Sequence, residues 1–202
     1  MTEAKRLSYA TLGEARRGPA VRYPTKAAQG STVGIVHFGL GAFYRALQSV
    51  YTGEAAAETG ERQWGILGVT GRTDRVARQL HPQDGLYGVL VRGASKTRLQ
   101  VVSAVRDVVW PGDAAERILD TIAAPTTHII TLTITEKGYH RAASGGVDTG
   151  APAILAATHQ LREELSAVGP GPRRGDVAEG PAPVPIGLLA RGLARRFRRG
   201  GS

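Results

Sequence analysis

The 202-residue sequence contains no cysteine. A disulfide framework, a thiolate nucleophile and a Cys-ligated zinc are therefore excluded together. A chain of this kind fits a reducing, cytoplasmic compartment. No uninterrupted apolar run approaches the roughly 18 residues that a membrane span needs. The opening Met-Thr-Glu-Ala-Lys-Arg-Leu-Ser lacks the apolar centre of a secretory signal, so no membrane partner is expected. Glycine (27) and proline (11) together are about 19% of the chain, below the share that marks wholesale disorder. Glycine does not recur at every third position, which excludes collagen.

What is present suits a folded domain. Hydrophobic residues make up 42%, enough for a sizeable core, and the length corresponds to one or two domains. The net charge is +9, and it is placed unevenly. Residues 41–172 are balanced, so the excess sits in the first 40 and last 30 positions. Of 26 basic residues only four are lysine, as in the codon bias of a GC-rich genome. Two readings of the charge stay open: composition bias on solvated ends, or a basic tail for nucleic acid or an anionic membrane. No sequence-specific nucleic-acid motif is visible.

Four segments follow from punctuation and periodicity. Residues 1–31 read as an irregular lead-in broken by Gly18-Pro19 and Tyr23-Pro24. Residues 32–168 read as an α/β domain. Val33 to Phe38 is a strand, Gly39-Leu40-Gly41 a turn, and Phe43, Leu47, Val50 and Tyr51 then recur as one helix face. Trp64–Thr70 is a second strand, and Arg72–Leu80 a short helix stopped by His81-Pro82. Leu86–Arg92 and Arg98–Val105 read as an antiparallel hairpin. A helix from Pro111 to about Ala123 leads to the β-branched strand Thr127–Ile134, and Pro152 to about Val168 is helical. Residues 169–185 are a Pro/Gly-rich linker, and 186–202 a basic helix and tail. This alternation predicts a Rossmann-like, mainly parallel sheet carrying an inserted antiparallel hairpin.

The chemistry concentrates at the glycine turn. A dinucleotide pyrophosphate needs backbone N–H donors at a helix N-terminus and no Cβ in the way. Gly39 and Gly41 stand where those needs fall, directly after a strand; the usual third glycine is replaced by Tyr44. The second strand carries no carboxylate at its tip for an adenosine ribose. Arg72 lies there instead, either as the partner of a 2′-phosphate, which favours NADP over NAD, or as part of a solvated helix face.

The run Gly34-Ile35-Val36-His37-Phe38-Gly39-Leu40-Gly41-Ala42-Phe43-Tyr44-Arg45-Ala46 resembles the cofactor turn of the mannitol dehydrogenase family, the polyol-specific long-chain dehydrogenases. Further resemblances follow in order: Arg6-Leu7-Ser8, Gln48–Thr52, Trp64-Gly65-Ile66, Pro82–Tyr87, Thr131–Tyr139 and Ile186–Leu189. The resemblance implies binding of NAD through Ile35, Val36, His37, Phe38, Gly39, Leu40, Gly41, Ala42, Phe43, Tyr44, Arg45 and Ala46, with NADP the alternative that Arg72 at the second strand would suit. It implies an oxidoreductase acting on a sugar alcohol or sugar acid. Apart from the resemblance, Glu136 and Lys137 stand at the C-terminal end of a strand, where open α/β sheets bind ligands, and are candidate substrate contacts. For Glu136 and Lys137 an ion pair capping the strand is the other reading.

The family's catalytic Lys-x4-Asn-x2-His set has no counterpart. The only lysines are Lys5, Lys26, Lys96 and Lys137, and the sequence contains no asparagine. Family members run to more than twice this length. The expectation is a cofactor-binding half without its helical C-terminal catalytic domain, inactive alone and with no catalytic residue of its own. His37 reads as packing beside the turn, and His81, His128, His140 and His159 lack metal-ligand spacing, so no metal is expected. The alternative is a non-catalytic module that binds a nucleotide or uses its basic ends on a polyanion.

Overall fold

The computed structural model describes residues 6–14, 21–24, 31–166 and 183–200. The strands in chain order are β1 (Val21–Arg22), β2 (Val33–Phe38), β3 (Gly65–Val69), β4 (Tyr87–Arg92), β5 (Thr97–Val102), β6 (Val105–Val109) and β7 (Ile129–Leu132). The helices are α1 (Ala42–Ala46), α2 (Gln48–Thr59), α3 (Arg75–Leu80), α4 (Pro111–Ala123), α5 (Pro152–Ser166) and α6 (Pro185–Arg198). Short 3₁₀ turns cover His81–Gln83 and Glu136–Tyr139.

The central sheet runs β6-β3-β2-β7, parallel throughout. Its apolar runs are continuous because both faces are buried. Val36, Phe38, Leu67, Val69 and Val109 pack against Ile118, Leu119 and Ile122 of α4 and Leu188 of α6. Ile35, Ile66, Val105 and Val108 face the other way, onto Tyr44, Leu80, Tyr87 and Val102. The helices α1 and α2 thus lie on one face and α4 on the other. From β2 the chain passes outward to β3 and β6, then returns through α4 to β7 on the opposite flank of β2. Connections therefore leave the β2–β7 boundary in opposite directions, and in open α/β sheets such a switch point opens a crevice at the strands' C-terminal ends.

Three expectations are corrected. The run Arg98–Val105 is two strands: β5 ends at Val102, Ser103-Ala104 carry the chain across, and β6 joins the parallel sheet beside β3. The antiparallel hairpin itself is as expected, β4 pairing with β5, and it forms a separate small sheet in which β1 adds parallel to β5. The lead-in is not wholly irregular, because β1 is built from it, and Leu12 is buried with Leu86 and Val101.

The third correction concerns the basic C-terminus. Residues 169–182 and 201–202 of the expected linker and tail lie outside the described residues, but α6 packs into the domain. Gly192 fits only because its missing Cβ would fall 2.6 Å from Ile122 of α4. Buried Arg195 forks onto buried Glu164 of α5 through Nε and Nη2, both at 2.9 Å, and reaches Asp120 of α4 at 3.0 Å and Glu116 at 3.0 Å. Arg198 also contacts Glu164, Arg199 contacts Asp120, and Arg196 donates to the carbonyls of Ala124 and Thr127. Burial by itself would push the Glu164 carboxyl up. The Arg195 fork and the charges of Arg191 and Arg198 outweigh it and hold Glu164 below the usual carboxylate range. The helix face read as solvated is a set of interhelical ion pairs.

Candidate functional site

The crevice at the C-terminal edge of the sheet begins with the turn after β2. Gly39 has φ +94°, and an added Cβ would lie 2.3 Å from the Thr133 carbonyl oxygen. Both facts demand glycine there. Its N–H donates to Val69 O of β3 at 2.9 Å, while its own carbonyl accepts from Thr133 Oγ1 at 2.8 Å. The turn is thus pinned from both flanking strands. Leu40 is buried over Gly68 of β3, where a Cβ would come within 2.4 Å of the Leu40 side chain.

Gly41 differs. Its φ is −82°, open to any residue, and the nearest atom to an added Cβ is Gly39 O at 3.6 Å. Nothing in the fold requires glycine at Gly41. Gly41 caps α1 without a side-chain bond, and the first helical bond runs from Arg45 N–H to Gly41 O at 3.1 Å. The N–H groups of Ala42, Phe43 and Tyr44 find no acceptor among the described residues. The result is an exposed backbone cradle with free donors and an open volume above Gly41, the features that suit an anionic group.

Tyr44 explains how the helix does without the third glycine. Its side chain turns inward, is buried, and stacks on His37 with ring centroids 3.2 Å apart and planes 9° from parallel. The ring fills the gap that a glycine-mediated approach would close. His37 is wholly buried, with Nδ1 2.8 Å from Thr131 Oγ1 and Nε2 3.0 Å from Thr133 Oγ1. Because Thr133 Oγ1 spends its proton on Gly39 O, it accepts from Nε2–H, and Nδ1 accepts from Thr131. Burial pulls the imidazole down to about 4, with hydrogen bonds opposing only part of that shift. His37 is therefore neutral at ordinary pH.

The other expected residues separate by position. Ile35, Val36 and Phe38 have their side chains in the two cores. Ala42, Phe43 and Ala46 are exposed on α1, with Phe43 70% exposed. Arg45 is half-buried, its guanidinium 6.0 Å from the Tyr87 ring and its carbonyl accepting from Tyr87 Oη at 2.9 Å. Arg72 is exposed in the loop between β3 and α3 and has no ion pair among the described residues. Asp74, the nearest carboxylate, is the residue before α3 and pairs with Arg78 at 3.0 Å. Glu136 and Lys137 lie exposed on the 3₁₀ turn after β7, at the same sheet edge as the glycine turn. Among the described residues, no ion pair joins them to each other or to another side chain.

Sequence reasoning singled out neither Thr131 nor Thr133. Their spacing of two, opposite His37 on the neighbouring strand, was the available signal. Among the described residues there is no group of three or more metal-ligating side chains, and no helix long and apolar enough to cross a membrane.

Comparison with known proteins gives this geometry its setting. The model of the mannitol dehydrogenase Rossmann domain matches residues 33–199. The chain is 31% identical over 183 residues to mannitol 2-dehydrogenase of Pyrenophora tritici-repentis, covering 89% of this chain and 29% of that protein. It is 38% identical over 140 residues to D-mannonate oxidoreductase of Escherichia coli, covering 67% of this chain and 29% of that one. Among solved structures, Pseudomonas fluorescens mannitol 2-dehydrogenase, in a ternary complex with NAD and D-mannitol, superposes with a TM-score of 0.75 at 28% identity. It covers 96% of this chain and 36% of its own. A substrate-free D-sorbitol dehydrogenase gives 0.77 at 27% identity, covering 98% and 37%. The chain thus spans less than a third of the length of the two curated relatives. On the match over residues 33–199, with the fold in agreement, the chain belongs to the mannitol dehydrogenase family through its Rossmann domain.

Proposed function

We propose that this chain is the NAD-binding part of an oxidoreductase that interconverts a polyol and a ketose, or an aldonate and a keto-uronate. The observation that carries the reading is Gly41. The fold leaves it free to carry a side chain, yet glycine keeps the space above the helix N-terminus open. A pyrophosphate fits that space and those donors. The turn Gly39–Gly41 and the N–H groups of Ala42, Phe43 and Tyr44 would hold it, with Arg45 supplying positive charge beside it. When bound, NAD supplies the hydride acceptor for a carbinol carbon, and its reduced form the donor for the reverse.

The chain's own residues bind and orient. His37, with both ring nitrogens engaged by threonine hydroxyls, holds the turn and takes no proton from substrate. Glu136 and Lys137, exposed at the same edge, would contact the hydroxyl or carboxylate groups of the substrate. Among the described residues none is assigned to take the carbinol proton, so turnover calls for a group beyond them. Arg72, in the loop after β3 and with no ion pair among the described residues, leaves a 2′-phosphate acceptable, so NADP is the second cofactor. The polyanion-binding alternative is less favoured, because Arg191, Arg195, Arg198 and Arg199 of the last helix face acidic partners. The test is a fluorescence titration with NADH. Saturable binding supports the reading, and no binding up to millimolar nucleotide overturns it.

A further inference from the structure

We propose that Thr133 is a positioning residue for the nucleotide site, acting through the carbonyl of Gly39. This rests on the reading of the glycine turn as a nucleotide cradle. Thr133 touches the turn three ways. Its N–H donates to Phe38 O at 2.8 Å, which carries the β2–β7 ladder one step past Leu132. Its hydroxyl donates to Gly39 O at 2.8 Å. The same oxygen accepts from His37 Nε2 at 3.0 Å, and His37 is braced in turn by Thr131 and by the Tyr44 ring.

Gly39 O is the point where this chain of bonds meets the cradle. It also accepts the N–H of Gly41 at 2.5 Å. The orientation of the Gly39 carbonyl therefore sets the position of Gly41, and Gly41 begins α1. A glycine at φ +94° has no Cβ to restrict its rotation, so its two peptides are fixed by hydrogen bonds: its own N–H and that of Leu40 to Val69 O at 2.9 and 3.2 Å, and its carbonyl to Thr133 Oγ1. Removing the hydroxyl leaves the carbonyl held only by the Gly41 N–H and, across its peptide, by Leu40 N–H on Val69 O, and it also takes the acceptor from His37 Nε2. The donors of Ala42, Phe43 and Tyr44 then lose their preset direction, and binding must supply the ordering that the fold supplied before.

The test compares Thr133→Val, which keeps the shape and loses the hydroxyl, with Thr133→Ser, which keeps the hydroxyl. NADH affinity is measured by titration, melting temperature alongside, and amide exchange at Gly41 without nucleotide. The valine variant is expected to bind NADH about five- to tenfold more weakly, because of the hydroxyl's two hydrogen bonds the one to Gly39 O is the one that reaches the cradle. Its Gly41 amide should exchange faster, while the serine variant stays within about twofold of the parent in both readouts. A parent that binds NADH and a valine variant that binds equally well would overturn the positioning role alone. A parent that binds no NADH overturns the nucleotide reading and this role with it. A melting temperature lowered equally in both variants, with affinity unchanged, would reduce Thr133 to a packing residue.

Discussion

The ring of Tyr44 lies flat on the ring of His37, and the pair fills the space between the first helix and the central strand. A third glycine would let that helix approach the strand directly. Here an aromatic ring inserted between them does the packing, and it encloses the imidazole that it covers.

That enclosure has a pH signature. His37 is held at about 4 when folded and returns to about 6.5 when unfolded. As pH falls below 6.5 the unfolded chain takes up a proton that the native chain refuses, so stability falls with pH until about pH 4. The full loss is about 3 kcal/mol. Glu164, also depressed, adds its own loss only below about 4.5, which leaves pH 6.5 to 4.5 to His37. Denaturant unfolding across that window should show the decline in the parent. It should be flatter in His37→Gln, and equal slopes would contradict the buried, neutral assignment.

The two turn glycines should separate stability from binding. Gly39→Ala forces a Cβ onto the Thr133 carbonyl at positive φ and should cost at least about 2 kcal/mol. Gly41→Ala meets nothing closer than 3.6 Å and should stay within about 1 kcal/mol of the parent, while NADH affinity falls. Urea titrations beside nucleotide titrations distinguish the two. A large stability loss at Gly41 would mean that its glycine serves the fold.

Arg195 and Glu164 should behave as a coupled, buried pair. Arg195→Met leaves the Glu164 carboxylate short of its main partner and should cost about 3 kcal/mol. Combining it with Glu164→Leu should recover on the order of 2 kcal/mol relative to the sum of the single changes. Additive single changes in a double-mutant cycle would show that the helix is held by apolar packing alone.

How far the fold was legible follows from where its determinants lie. The strand and glycine turn at 33–41 are local, and a change of period marks where helix begins. The face expected from Phe43, Leu47, Val50 and Tyr51 is wrong, because the helix breaks at Leu47 and Phe43, Leu47 and Tyr51 are exposed while Tyr44 and Ser49 point inward. The boundary between β5 and β6 is poorly marked, because Val101, Val102, Ala104 and Val105 carry a β-rich run straight across the change of sheet, with only Ser103 to interrupt it. β1, two residues long, is too short to show a period. The arginines of the last helix read as a free basic tail because their partners lie far back in the chain: Glu164 is 31 positions from Arg195, and Asp120 is 75. At the site, the glycines and Tyr44 were visible, but the role of Tyr44 depends on a ring packing inward. The threonine pair that braces His37 exists only through the β2–β7 register.

The most direct measurement is amide chemical-shift mapping of the full chain during titration with NAD. The account predicts saturable shifts at Gly39 to Tyr44 and at neighbouring positions of the same sheet edge, including Thr70 and Thr133. In Gly41→Val the shifts should be absent, with the remaining spectrum unchanged. Shifts confined to the arginine-rich last helix, or an undiminished response in Gly41→Val, would contradict it.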